Sequence, residues 1–235
     1  MKTKILIFPI VLMALFFMVE SGCKKSSDDT TSQSNTVTDI DGNIYHMVRV
    51  GTQVWTVENL KTTKFNDGFS IALDTSATAW GLLTSPSSCY YNNDISNKGT
   101  YGMLYNWYAV NTGKLAMKGW HIPSNAERKI LSDYLGGDTL GGGKMKTTGT
   151  LEAGTGLWLA PNGGATNESG FSAIPVGQRT YAGKFKTIGM YSFFWNSDEQ
   201  DSDFAWSFGP SYLNAGAYYG TYFKKNGFSV RCVKN

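Results

Sequence analysis

The chain has 235 residues with 21 basic and 18 acidic side chains, so its net charge of +3 is small for its length. This near balance, without a strongly basic patch, argues against nucleic acid as a partner. Glycine (27 residues) and aromatic residues (13 Phe, 7 Trp and 13 Tyr) are abundant, which favours many turns and short strands over a helical bundle.

A short hydrophobic leader opens the chain. Lys2 and Lys4 precede an apolar run over residues 5–19, and small residues lead from there to Cys23. A basic start, a short apolar run and a small-residue cleavage site are typical of a secretory signal peptide. The run is shorter than the roughly 20 residues that a membrane-spanning helix needs. We therefore predict a signal peptide over residues 1–22.

Cys23 stands at the predicted cleavage point, and this arrangement resembles the lipobox of bacterial lipoproteins. The resemblance implies a diacylglyceryl group on Cys23. It also implies an outer-membrane lipoprotein of the cell envelope, periplasmic or surface-exposed, with the membrane as a partner through the lipid anchor. An ordinary secreted protein that is cut nearby is the alternative.

The residues after the leader are polar. Residues 24–36 contain no hydrophobic side chain, so this segment cannot bury enough apolar surface to fold. We predict the lipidated cysteine and a flexible tether over residues 23–36, followed by one folded domain over residues 37–235.

The start of the domain carries strand signals. The Asp41-Gly42 turn between two apolar segments, 37–40 and 44–50, predicts a β-hairpin. Residues 54–57 predict another strand. The stretch 59–99 is polar with scattered turn residues, and we expect a long loop or an irregular layer there.

One helix is clear, over about residues 124–135. Ser124 followed three residues later by Glu127 is a capping box. Apolar residues at helical spacing predict one buried stripe made of Ile130, Leu131, Tyr134 and Leu135. Gly136-Gly137 predicts the end of the helix. A second short helical turn is predicted over 142–146.

The second half reads as strands and turns. The candidate strands are 171–181, 190–195, 204–208, 218–223 and 228–233. In the last of these, Phe228, Val230 and Cys232 alternate with Ser229 and Arg231, as in a terminal strand with one face in the core.

Cys89 and Cys232 are the two cysteines left after Cys23. An oxidising compartment would allow them to form a disulfide. Two buried free thiols are the alternative, and the sequence leaves this open.

Several motifs together resemble the Fibrobacter succinogenes major paralogous domain, which is common in lipoproteins and secreted proteins of Bacteroidetes and Fibrobacter. The resemblance covers about residues 37–235. The motifs that carry it are VGTQVW (50–55), YGMLYNWYAV (101–110), GWHIP (119–123), NESGF (167–171) and GFSVRCV (227–233).

The second half also resembles the C-type-lectin-like fold that formylglycine-generating enzymes share. The residues that carry this resemblance are 120–124 before the helix, 195–199 and the final 227–233. It implies an α+β fold: a C-type-lectin-like mixed domain with many short strands, the one helix and long loops. It does not imply a reaction.

The chain departs from the family at one place. Members often carry Cys-Pro before the Gly-Trp-His segment, where this chain has Ala116-Met117. If Cys232 ordinarily pairs with that cysteine, the resemblance implies that it has lost its partner here.

The sequence contains no strong motif for metal or cofactor binding. His46 and His121 are the two histidines, far apart and outside any metal-ligand spacing, and we assign no metal site and no cofactor. His121 is interpreted as a packed residue. In lectins of the resembled fold Trp-Asn-Asp supplies calcium ligands, but Ser197 interrupts that motif in residues 195–199. Calcium stays an open alternative and an exposed acidic turn is the preferred interpretation.

The strongest remaining signal is aromatic. Residues 181–223 hold 14 Phe, Trp and Tyr among 43 residues, interleaved with Ser, Gly, Asn and Asp. Such mixtures are typical of binding loops, because aromatic rings give rigid contact area and small polar residues give adaptable hydrogen bonds. The predicted ligand-binding residues are Trp195, Asn196, Tyr212, Asn214, Tyr218, Tyr219 and Tyr222.

These observations favour a non-catalytic surface lipoprotein that binds an extracellular glycan or protein through its C-terminal aromatic loops. A polysaccharide-acting enzyme is one alternative, with paired carboxylates drawn from Glu152, Glu168, Asp198 and Glu199. A structural component of the cell envelope is the other.

Overall fold

Short strands and short helices alternate through residues 35–235, the part of the chain that the computed structural model describes. The first-half elements are β1 (Thr36–Thr38), β2 (Ile44–Val50), β3 (Gln53–Thr56), β4 (Ala72–Leu73), α1 (Ala77–Leu82), β5 (Ser87–Cys89), a 3₁₀ turn (Tyr91–Asn93), α2 (Asn97–Tyr101), β6 (Leu104–Tyr105) and α3 (Trp107–Val110). The second-half elements are β7 (Trp120–His121), α4 (Asn125–Tyr134), α5 (Gly141–Met145), β8 (Gln178–Arg179), β9 (Phe185–Lys186), β10 (Phe194–Glu199), β11 (Phe204–Pro210), β12 (Ala217–Phe223) and β13 (Val233–Lys234). The predicted α+β class with many short strands is confirmed.

The predicted leader lies outside this description. The signal peptide over 1–22, the lipidation site Cys23 and the tether as far as residue 34 all fall outside the described residues. Thr36, the last residue of the predicted tether, already belongs to β1. Within residues 35–235, no helix is both long enough and apolar enough to cross a membrane.

The two ends of the described chain meet in one five-stranded sheet, in the order β1-β2-β3-β13-β7. The predicted hairpin is confirmed, since β1 and β2 pair antiparallel with Val37 opposite Tyr45. Asp39 fixes the turn between them, because its Oδ1 accepts hydrogen bonds from the amides of Asp41 and Asn43, each at 2.9 Å. The domain is thus closed by its own N- and C-terminal strands.

The helix α4 begins as its capping box predicts. The Ser124 hydroxyl accepts a hydrogen bond from the Glu127 amide at 3.3 Å, and Glu127 Oε2 accepts one from the Ser124 amide at 2.8 Å. The other carboxylate oxygen contacts His121 Nε2 at 2.6 Å. His121 also contacts Asn235 through Nδ1 at 2.7 Å, so it ties the helix start to the chain end.

The predicted buried stripe of α4 is half wrong. Leu131 and Leu135 are buried, but Ile130 and Tyr134 are 47% and 65% exposed. The buried face is completed by Arg128 and Ser132, which are held inside by the carboxylate of Asp138. A polar network therefore occupies positions that the spacing alone assigned to apolar side chains.

A three-stranded antiparallel sheet, β10-β11-β12, separates two hydrophobic clusters. Phe194 and Phe208 face the cluster that contains Trp55 and Phe171. Trp195, on the other face, belongs to a larger cluster formed by the first sheet and the central segment. Both faces of this sheet are therefore packed near β10, and the sheet extends outward through β12.

Three of the predicted strands are shorter or shifted. Of residues 171–181 only β8 is a strand, and the segment predicted over 190–195 becomes a strand at Phe194 and continues to Glu199. The terminal segment pairs as β13 over Val233–Lys234 only, although residues 227–229 form single bridges. Residues 228–233 are buried on both sides, so the predicted inward and outward alternation is wrong there.

Arg231 explains why that segment is buried on both sides. Its guanidinium donates to Asn59 Oδ1 at 2.6 Å and to the carbonyls of Thr56 at 3.0 Å, Phe171 at 2.9 Å and Ser172 at 3.1 Å. Burial lowers the pKa of this guanidinium to about 9. One buried cation thus joins the start, the middle and the end of the domain.

The two cysteines of the domain are free thiols. Cys89 packs in a small cluster with Trp80, whereas Cys232 lies in the large cluster that also contains Ala116 and Met117. Burial raises the pKa of each thiol to about 12, so neither is reactive at neutral pH. The disulfide between them is not formed in this structure.

Candidate functional site

The strand β12 presents two different faces because side chains alternate along a strand. Ser207 pairs with Gly220 and Gly209 pairs with Tyr218, so these residues and Tyr222 share one face of the sheet. Tyr219 points to the opposite face, where its partner in β11 is Phe208. The first face lies beside a groove.

We call it the first groove, and its volume is about 340 Å³. That value falls at the lower end of the roughly 300–1,000 Å³ that is usual for small-molecule sites. Its aromatic lining comprises Tyr191, Phe193, Tyr218 and Tyr222, and Phe208 also borders it although its ring packs on the opposite face of the sheet. Its polar lining comprises Gln178, Thr187, Ser192 and Ser207, and Gly209 completes it.

The aromatic rings of the groove are fixed against each other. Phe193 stacks on the core residue Phe228 at 4.8 Å between ring centroids and on Tyr191 at 5.6 Å. Tyr222 stands edge-on to Phe193 at 5.5 Å, and Tyr218 stands edge-on to Tyr191 at 6.0 Å. Rings held in this way give a ligand contact area at little cost in conformational entropy.

No charged side chain lines the first groove within the described part of the chain. Burial raises the pKa of Tyr222, so its hydroxyl stays neutral across the physiological range. Ser207 is fully buried, and its Oγ has no hydrogen-bond partner among the described residues. A buried hydroxyl without a partner beside a groove is a ready contact for a polar ligand group.

Two glycines shape this face in opposite ways. A Cβ on Gly209 would lie 2.0 Å from the Ser192 carbonyl oxygen, so β11 reaches that segment only with glycine. A Cβ on Gly220 would meet nothing nearer than Tyr222 Cε2 at 3.8 Å. Gly220 therefore leaves open space between Tyr218 and Tyr222 that a side chain would occupy.

The structure brings two of the predicted ligand-binding residues together, Tyr218 and Tyr222. Asn214 lies in a neighbouring shallow depression that it shares with Tyr218, and its Oδ1 accepts a hydrogen bond from the Gly216 amide at 2.9 Å. Tyr212 is half-buried and lines neither depression.

The backbone around Asn214 is held by a buried lysine. Lys146 Nζ donates to the carbonyls of Gly163, Ser211 and Asn214 at 2.8, 2.8 and 2.9 Å. Burial lowers the pKa of Lys146 to about 8. These three hydrogen bonds hold the loop around Asn214 in place beside the first groove.

Three of the predicted ligand-binding residues lie elsewhere, and the prediction is corrected for them. Trp195 is fully buried and donates its indole N–H to the Tyr105 carbonyl at 2.8 Å. Asn196 is fully buried and donates to Asn125 Oδ1 at 2.7 Å. Tyr219 is on the other face of the sheet. These side chains therefore do not reach the first groove.

Tyr219 is part of a separate stack. Trp206 lies parallel to it at 4.5 Å between ring centroids, and the Arg128 guanidinium covers its ring at 3.9 Å. Its aromatic face is therefore occupied by neighbours of its own chain.

The acidic segment 195–199 does not converge as calcium ligands would. Asp198 Oδ2 accepts a hydrogen bond from the Asn125 amide at 2.6 Å, at the start of α4. Glu199 pairs with Lys224 at 2.8 Å, and Asn196 points inward. Among residues 35–235, no three His, Cys, Asp or Glu side chains are grouped as metal ligands. The residues present do not fit a calcium site, and we derive no chemistry from one.

The carboxylates of the enzyme alternative serve other contacts. Glu152 Oε2 accepts a hydrogen bond from the Ala160 amide at 2.9 Å, and Glu168 pairs with Lys144 at 2.8 Å. Neither they nor Asp198 and Glu199 line the first groove.

Several groove residues were not predicted. For Ser207 a signal was present, because period-two alternation along the predicted strand 204–208 places it on the opposite face from Phe208. For Gln178, Thr187 and Tyr191 no local signal exists, since they reach the groove only through the tertiary packing of a distant segment against β12.

Residues 48–234 match the family model described as the Fibrobacter succinogenes major domain. The match covers most of the chain, and the chain therefore belongs to this family, as the motifs predicted. No curated protein and no solved structure matches the chain. The family has no established ligand or reaction, and the C-type-lectin-like character stays a prediction.

Proposed function

We propose that this protein is a non-catalytic binding protein of the cell envelope that binds a neutral glycan in the first groove. In this proposal Cys23 carries the lipid anchor of an outer-membrane lipoprotein and the domain over residues 35–235 carries the binding site. The observation that carries the proposal is the groove of fixed aromatic rings without a charged side chain.

The chemistry of the groove suits a sugar ring. A pyranose ring presents apolar C–H faces that stack on aromatic side chains, and hydroxyl groups at its edge that need hydrogen-bond partners. Tyr218, Tyr222 and Tyr191 supply rings with hydroxyl groups, and Gln178 and Ser207 supply further polar atoms. A charged ligand would find no opposite charge there, so an uncharged one fits best.

The same lining supports binding rather than hydrolysis. A glycosidase needs two carboxylates roughly 5–10 Å apart across the scissile bond. The first groove is lined by neutral side chains, and the four candidate carboxylates are engaged in ion pairs or backbone hydrogen bonds elsewhere.

The test is a glycan-array screen with residues 24–235, which contain the whole described domain and both of its large cores. The key variant is Gly220→Val, since a β-branched side chain suits a strand and has room at this position. Its side chain projects between Tyr218 and Tyr222, on the face that borders the groove, and leaves the aromatic rings in place. The matched control is Tyr134→Ala on α4, because Tyr134 is 65% exposed and is not part of the groove lining.

We expect the wild type and Tyr134→Ala to bind the same neutral glycans, and Gly220→Val to lose them while it melts within a few degrees of the wild type. Equal binding by Gly220→Val would place the site elsewhere. Absence of binding by the wild type to every glycan would overturn the proposal in favour of a protein ligand or a structural role.

A further inference from the structure

A second groove lies next to the first, with a volume of about 250 Å³. Gln178 and Tyr222 line both grooves, so these two side chains form the wall between them. The second groove is also lined by Thr221 and Phe223 of β12, which by alternation point to the other face of the sheet from Tyr222, so this groove lies at the end of the strand, away from Tyr218.

An aromatic row forms one side of the second groove. Phe223 contacts Tyr181 at 4.6 Å and Phe204 at 4.4 Å between ring centroids. Tyr181 is 52% exposed and Phe223 is 39% exposed, although large apolar side chains in this domain are mostly packed inside. Phe223 is flanked by the other two rings, and the half-exposed ring of Tyr181 lies at the open end of the row.

The second groove repeats the polar chemistry of the first. Asn226 lines it, is 5% exposed and has an Oδ1 without a hydrogen-bond partner among the described residues. In the first groove, the Ser207 Oγ is likewise buried and without a hydrogen-bond partner among the described residues. Each groove thus combines aromatic rings with one buried and unpartnered oxygen. No charged side chain lines either groove in the described part of the chain.

The size of each groove limits what it holds. Sites for drug-sized ligands measure roughly 300–1,000 Å³, so the first groove is small and the second is smaller still. Each accommodates about one sugar ring, and an oligosaccharide must extend over the shared wall from one to the other.

We infer that the two grooves are successive subsites for one neutral oligosaccharide, with one ring beside Tyr218 and the next beside Tyr181, on either side of Tyr222. The inference rests on the proposed function and adds the length of the ligand to it. Neutral side chains in both grooves and an unpartnered oxygen in each make an uncharged, hydroxyl-bearing chain the matching occupant.

The experiment is isothermal titration calorimetry with two neutral series, cello-oligosaccharides and manno-oligosaccharides of one to six units. The proteins are residues 24–235 as the wild type, Tyr181→Ala, Gly220→Val and the control Tyr134→Ala. Tyr181 is exposed, so its truncation removes a ring face without opening the core.

For at least one series we expect the wild type to bind the four-unit chain at least about tenfold more tightly than the single sugar, a difference of about 1.4 kcal/mol. Tyr181→Ala removes most of this gain. Gly220→Val weakens every length, and Tyr134→Ala changes none.

The two failures are distinguishable. If affinity does not depend on length, or if Tyr181→Ala keeps the full gain, the second subsite is wrong while binding in the first groove stands. If neither series binds, the inference is overturned. The proposed function is also overturned only if the wild type binds no glycan in the array screen.

Discussion

Arg231 shows how a charged residue can hold this fold together without a carboxylate partner. Its acceptors are three backbone carbonyls and the Asn59 amide oxygen, and the rings of Phe171 and Phe194 lie 4.9 and 5.3 Å from the guanidinium. Backbone carbonyls cannot be replaced by an apolar group. Removing the donor therefore leaves buried acceptors without a partner.

We predict that Arg231→Met lowers the free energy of unfolding by about 3–5 kcal/mol, because each buried acceptor without a partner is costly. The measurement is urea denaturation followed by tryptophan fluorescence. Arg49→Met is the matched control, since Arg49 is exposed on β2 and its loss should change stability by less than about 0.5 kcal/mol. Equal midpoints for wild type and Arg231→Met would contradict this role.

Two further buried cations follow the same rule. Arg179 donates to the carbonyls of Asp74, Ser76 and Gly183, and its guanidinium lies 4.2 Å from the Trp80 ring centroid. Lys146 donates to three carbonyls beneath the loop of Asn214. Long loops are thus fixed by cations inside the domain, and residue type alone does not reveal which of the chain's 21 basic residues do this.

At the scale of elements, α4 is held at its start by Glu127. Burial alone would raise the pKa of Glu127, but hydrogen bonds from the Ser124 amide and hydroxyl and from His121 outweigh it, and the pKa lies below its usual value. A carboxylate with a lowered pKa stabilises the fold above its unfolded pKa. This stabilisation is lost as the pH falls through the lowered value.

We predict that Glu127→Gln lowers the free energy of unfolding by about 0.3–1 kcal/mol at neutral pH, because Gln can still accept the Ser124 hydrogen bonds but lacks the negative charge at the helix start. The difference from the wild type should shrink as the pH falls below about 4.3, the pKa of an unfolded Glu, and through the lower pKa of the folded wild-type carboxyl. Urea denaturation at about pH 7 and about pH 3 measures both effects.

Glu168→Gln is the control for this pair of measurements, because Glu168 is 54% exposed in its ion pair with Lys144. Exposed ion pairs contribute little, so this variant should change stability by less than about 1 kcal/mol. A Glu127→Gln variant with the same pH profile as Glu168→Gln would show that the capping box does not act as described.

Local elements were predictable from the sequence and distant pairings were not. The hairpin of β1 and β2 and the start of α4 depend on residues within a few positions of each other, so their signals are contiguous. The final segment was predicted as a half-buried strand. It is buried on both sides because Arg231 binds segments about 60 and 170 residues away.

The candidate site was likewise predictable only in part. Tyr218 and Tyr222 could be selected from composition, and period-two alternation in β12 would have set Tyr219 apart. Trp195 was placed wrongly because an indole suits a binding surface and a core equally well. The opposite wall with Gln178 comes from another part of the chain and leaves no local pattern.

At the scale of the whole molecule, the proposed binding surface lies on the outer part of the β10-β11-β12 sheet. β10 is packed between two clusters, whereas β12 is the edge strand. Its Tyr218 and Tyr222 line the first groove, and Tyr222 also lines the second. The terminal strands close the domain in a different sheet. A change in the grooves can therefore alter binding without loosening the closure of the fold.

The most direct test of glycan binding in the first groove is a two-dimensional amide NMR titration of residues 24–235 with cellohexaose and with mannohexaose. Binding in the first groove predicts that the amides of Ser207, Gly209 and Gly220 shift most, and that Gly137 at the end of α4 does not move. No shift with either sugar, or shifts centred on α4 and absent from β11 and β12, would contradict the assignment of this aromatic groove as a glycan-binding site.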